Sequence, residues 1–140
     1  MQFSSFFLSM RTTAGTDILD ITAETQKKVA ELGAQNGLLT LFICGSTAAL
    51  STIEFESGCV SDLTQAIERL LPETISYEHD KRWGDGNGYS HVRAALFKPN
   101  LTIPVIDGAL SLGTWQQIVL LDFDNRPRTR KIVGQLLHER

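Results

Sequence analysis

His79 and His91, two of the three histidines in this 140-residue chain, stand on either side of a glycine-rich stretch in which Gly84, Gly86 and Gly88 alternate with Asp85 and Asn87. Imidazole nitrogens together with carboxylate oxygens suit zinc or a similar divalent ion. Glycines allow the positive φ angles that bring such a loop close to a ligand. The spacing itself matches no compact signature such as H-E-x-x-H. Two readings therefore stand side by side. The segment is either one wall of a ligand cleft, or a turn-rich loop with one histidine capping a helix and the other half-buried. The third histidine, His138, sits beside Glu139 and Arg140 and reads as a frayed terminal side chain.

Other residues could hold an anion. Ser46 and Thr47 follow Gly45 after the apolar run LLTLFI, and their hydroxyls and amides could bind phosphate. A loop of small residues also turns without any ligand, and the segment is no complete P-loop. Arg126, Arg128, Arg130 and Lys131 form the densest basic cluster. Guanidinium forks suit phosphate, and strand alternation sends Arg128 and Arg130 to one face. The plainer reading is a solvated hairpin tip. Glu54 and Glu56 share a face if residues 52–56 are extended, as a general base or as an exposed pair. Cys44 reads as a thiolate ligand or, after so apolar a run, as a buried inert thiol. With Cys59 it forms no C-x-x-C pair, and both are expected to be free thiols.

The elements that must position these residues follow from periodicity. Residues 3–9 and 17–22 read as strands with a turn at 12–16 around Gly15. A helix begins at Thr22, whose hydroxyl reads as its cap, and ends near Gly33 or Gly37. Residues 38–43 form a buried strand. Apolar Val60, Leu63, Ile67 and Leu71 at helical spacing predict a helix over 57–71 closed by Pro72. Residues 75–79 read as a short strand, 89–97 as a helix and 101–105 as a strand. The β-rich runs on either side of DNRPR predict an antiparallel hairpin, with Trp115 packed in the core or at an interface. The order indicates one α+β domain over residues 1–140, with a largely antiparallel sheet.

Composition excludes some functions. Apolar residues make up 42% and charged residues 21%, and the net charge is −3. This argues against a nucleic-acid-binding module, which normally carries a basic face. No run approaches the ~20 apolar residues of a membrane helix, and MQFSSFFLSMR lacks the features of a secretory signal. The expected location is the cytoplasm, with neither nucleic acid nor membrane as a partner.

Read in order, Gly-Ser-Thr-Ala-Ala-Leu at 45–50, Tyr-x-His at 77–79, SHVRAAL at 90–96, LTIPV at 101–105 and LGTWQ at 112–116 make the chain resemble the YjbQ-like family, often labelled secondary thiamine-phosphate synthase. The resemblance implies an α+β domain with a mixed, mainly antiparallel sheet packed with helices, a homotrimer, and a cleft with a metal-compatible histidine cluster. It implies a transferase that joins a pyrimidine diphosphate to a thiazole phosphate. In that reading His79 and His91 hold zinc or magnesium or protonate the leaving group, and Asp85 completes the metal shell. Ser46, Thr47 and Arg130 grip phosphate, and Gln116 faces the ligand. The alternative is a non-catalytic trimer that binds a metal or a small phosphorylated ligand. One departure stands out: Gly45 occupies the place where many family members carry a histidine, so a third metal ligand would come from Cys44, Glu54, Asp85 or water.

Overall fold

The computed structural model describes residues 1–139. The chain runs β1 (Gln2–Thr12), β2 (Asp17–Asp20), α1 (Thr22–Glu31), β3 (Gly37–Cys44), β4 (Ala48–Ile53), α2 (Ser57–Leu70), α3 (Glu78–Trp83), α4 (Gly88–Phe97), β5 (Asn100–Ile106), β6 (Ala109–Leu110), β7 (Gln117–Asp122) and β8 (Arg128–His138). Two sheets result, ordered β1-β8-β3-β5-β6 and β2-β7-β4, with every pairing antiparallel. The α+β class with a mainly antiparallel sheet is thus observed.

Alternation along β7 explains the layering. Ile118 and Leu120 point into a core shared with Leu39, Leu41, Ile43 and Ile132 of the larger sheet. Val119, Leu121 and Phe123 point the other way, against Ile67 of α2 and Ala94 of α4. A strand apolar on both faces needs cover on both, so the three-stranded sheet becomes the middle layer. Arg93 of α4, fully buried, pins the helical layer: it pairs with Glu68 at 2.8 Å and donates to the Leu71 carbonyl. No helix among the described residues is long and apolar enough to cross a membrane.

This layering overturns the expected hairpin. The strands before and after DNRPR lie in different sheets and do not pair with each other. The chain crosses between sheets there, as it also does after β1 and after β3. The three crossings meet at one edge, laced by hydrogen bonds from the Gly15 N–H to the Asp124 carbonyl and from the Phe123 N–H to the Thr47 carbonyl, both backbone contacts.

Other expectations also need correction. Residues 75–79 form no strand; His79 lies in the first turn of α3. The Thr22 hydroxyl accepts from the Ile118 N–H rather than capping α1. His138 is not frayed: it is buried at the end of β8, with Nδ1 donating to the Glu139 carbonyl and Nε2 accepting from Ser4. Cys44 is exposed, because it falls on the outward side of β3. Trp115, 71% exposed, is no core residue.

Candidate functional site

The edge where the three crossings meet bears a cleft of about 370 Å³, whose lining includes His79, His91, Asp85, Ser46, Arg126 and Arg128. Its floor is built from buried charge. Asp122 and Asp124 are fully buried and Arg130 nearly so. The Arg130 Nε and Nη2 donate to Asp122 at 2.6 and 2.9 Å, and Nη2 also donates to the Thr47 hydroxyl at 2.6 Å. Thr47 in turn donates to Asp124 at 3.0 Å, Arg128 Nε donates to Asp124 at 2.8 Å, and Thr12 donates to Asp122 at 2.6 Å. Each acceptor therefore has several donors, the condition for keeping carboxylates in an interior.

From this floor the order passes to the histidines. Asn87 Nδ2 donates to Asp124 Oδ1 at 3.2 Å, which turns its carbonyl oxygen toward His79 Nε2, 3.1 Å away. Asp85 Oδ1 lies 3.1 Å from the same nitrogen. Both neighbours are acceptors, so His79 donates from Nε2. The short helix α3 ends at Gly84, φ 73°, a left-handed residue that reverses the chain and sends Asp85 back to His79. His91, in the first turn of α4, stands with its ring centroid 4.3 Å from that of His79.

One group of three metal-ligating side chains occurs among the described residues: His79, Asp80 and Asp85 offer donor atoms within 4.8 Å of one another. The donor set of one imidazole and two carboxylates fits a divalent ion. His91 adjoins this group without belonging to it. Asp80 carries no signal in the sequence, because residues 75–79 read as a strand that ends just before it, and adjacent residues of a strand point to opposite faces. Its Oδ1 also accepts from the Gly88 N–H at 2.8 Å, which ties α3 to the start of α4.

The remaining anticipated residues divide. Ser46 is exposed at the rim of the cleft, and Thr47 is buried in its floor. Arg130 reaches the cleft wall but is held by Asp122 and Thr47, so it braces the site. Among the described residues Arg126 forms no ion pair, and it is exposed on the cleft. Gln116 lies elsewhere. It donates to the Thr52 hydroxyl and accepts from the Gly113 N–H, lining a separate hollow with Thr22 and Leu112. Glu56 caps α2 by accepting from the Gly58 and Cys59 N–H groups. Gly45 has φ +156°, and a Cβ there would approach Arg130 Nη1 to 2.8 Å. Any side chain at that position would need the guanidinium to move.

Burial alone would push the Asp124 carboxyl up, but hydrogen bonds from Asn87, the Asn125 N–H, Thr47 and Arg128 outweigh it and hold the group below its ordinary value. The folded state thus favours the ionised form. The resulting stabilisation is complete above the ordinary carboxylate value of about 4 and is lost as pH falls through the lower folded value. Replacing Asp124 by Asn is expected to cost roughly 3 kcal/mol at neutral pH and to flatten the decline in stability on acidification, read from urea midpoints between pH 7 and 3. Parallel pH profiles for the two proteins would contradict this role.

A family model described as UPF0047 protein YjbQ-like matches residues 7–139. A UPF0047 protein of Archaeoglobus fulgidus is 35% identical over 130 residues, spanning 93% of this chain and 98% of its own. One from Methanothermobacter thermautotrophicus is 38% identical over 125 residues, spanning 89% and 85%. In three dimensions the chain is similar to a YbjQ-like protein of unknown function from Sulfolobus solfataricus P2, with a TM-score of 0.88, 28% identity, and coverage of 99% of this chain and 100% of that one. The sequence match and the shared fold, both nearly full-length, establish that this chain belongs to the YjbQ-like UPF0047 family.

Proposed function

We propose that the cleft binds a divalent cation together with a small phosphorylated ligand. The observation that carries this reading is the convergence of His79, Asp80 and Asp85 within 4.8 Å, beside a second imidazole. These three residues would hold the ion, which when bound would offset negative charge on a phosphoryl group. Arg126 and Ser46, both exposed on the cleft, are placed to take phosphate oxygens. His91 is available to give or take a proton at the ligand. Arg130, itself held by Asp122, donates to Thr47, and the chain of hydrogen bonds runs on through Asp124 and Asn87 to His79.

Charge distribution favours binding over diphosphate transfer. Thiamine-phosphate synthase chemistry would require neutralising a departing diphosphate. Arg128 and Arg130 are already paired with Asp124 and Asp122, which leaves Arg126 as the unpaired guanidinium of the cleft among the described residues. The transferase is the more specific reading, and metal-loaded protein that forms no thiamine phosphate above a His79→Ala/His91→Ala control would exclude it.

Self-association as a homotrimer is part of the same proposal. Phe3, Phe7, Leu38 and Phe42 leave the outer face of the larger sheet apolar and exposed, as an interface between copies requires. Light scattering is expected to give three times the 15.5 kDa chain mass, and Phe42→Glu to lower it. A wild-type mass of one chain would refute the assembly.

Elemental analysis of protein purified without a histidine tag tests the metal site. About one zinc or other divalent ion per chain is expected, falling at least tenfold in His79→Ala and in Asp85→Ala. A metal content unchanged by both substitutions, or none in the wild type after incubation with zinc or magnesium, would contradict the assignment.

A further inference from the structure

We propose that the cleft continues past His91 into an apolar lobe, so that its ligand is a phosphomonoester whose other half is a small planar or apolar group. This inference rests on the phosphate-binding reading and names the class of ligand that the same site takes. A second cavity, of about 280 Å³, is walled by Ala48, Ala94, Ala95 and Pro99, and it shares Gly45, Ser46 and His91 with the polar cleft. The two hollows are therefore neighbours with His91 as the partition. Taken jointly they fall within the ~300–1,000 Å³ typical of small-molecule sites, which combine an apolar body with a few convergent polar groups.

The apolar lobe has fixed walls. The connector after α4 is held against both sheets, with the Ile43 N–H donating to the Pro99 carbonyl at 2.9 Å and the Leu50 N–H donating to the Lys98 carbonyl at 3.1 Å. Ala94 is buried against the helical core, while Ala95 stands exposed at the mouth. Small side chains at these positions leave the space open. Beyond the shared Gly45, Ser46 and His91, the lobe is lined only by alanines and Pro99. Such a wall has no use for a second charged group, whose desolvation would go uncompensated, but it can take an apolar ring out of water. Gly45 lies at the junction and lines both hollows.

Titration calorimetry in magnesium-containing buffer, with inorganic phosphate and phenyl phosphate as probes, distinguishes the possibilities. Partial burial of the ring is expected to make phenyl phosphate bind about tenfold tighter than inorganic phosphate. Ala95→Gln, which places a longer polar side chain at the exposed mouth of the lobe, is expected to abolish that advantage while leaving the affinity for inorganic phosphate unchanged. Equal affinity for the two probes in the wild type, or an advantage that survives Ala95→Gln, would overturn the apolar lobe and leave the phosphate site standing. Failure of both probes to bind would overturn the phosphate site and the lobe together.

Discussion

The buried ion pair between Arg130 and Asp122 is the constraint on which the rest of this structure depends. A guanidinium placed in an interior is costly unless carboxylate and hydroxyl oxygens accept hydrogen bonds from its N–H groups. Arg130 meets that demand with Asp122 on the strand before the crossing and Thr47 on the loop after β3. Asp122 also accepts from Thr12 at the end of β1. One guanidinium thereby fixes the relative position of the three crossings that meet at this edge, after β1, β3 and β7. Without it, the apolar layers would still find each other, but their edge would lack a defined geometry.

The proposed binding role follows from what this edge supports. Asp124 carries the order outward through Asn87 to His79, and the left-handed Gly84 brings Asp85 back to the same imidazole. Each flexible polar group is thus oriented by a more deeply buried one. Preorganisation of this kind is what ligand and metal sites need, because a side chain already held by an outer partner loses less entropy on binding. The Asp80 contact to the N-terminus of α4 keeps the two histidine-bearing helices in register. The arginines divide between the tasks: Arg128 and Arg130 stabilise the floor, and Arg126 is left to the cleft.

Much of this architecture was legible in the residues. The apolar alternation and capping signals located β1, β3, α2, α4 and β5 to within a few residues, and the histidines around the glycine-rich loop do face one another. What escaped was long-range. DNRPR has turn chemistry, yet β7 is apolar on both faces and must sit in a middle layer, which forbids a simple hairpin with β8. The basic cluster looked like a phosphate clamp because its acidic partners, Asp122 and Asp124, hide inside an apolar run. Residue type and resemblance point Trp115 to packing and Gln116 to the ligand, but their loop leaves the core and the cleft alike. His138 seemed frayed from its place in the chain, whereas Gly37 opposite it leaves room for a buried imidazole.

The most direct test of the central claim is a crystal structure of the zinc-soaked protein with anomalous data collected at the zinc edge. A peak is expected within coordination distance of His79, Asp80 and Asp85, with Asn87 still bridging Asp124 and His79. Ordered density for these side chains with no peak between them, or a peak bound only to residues outside the cleft, would contradict it.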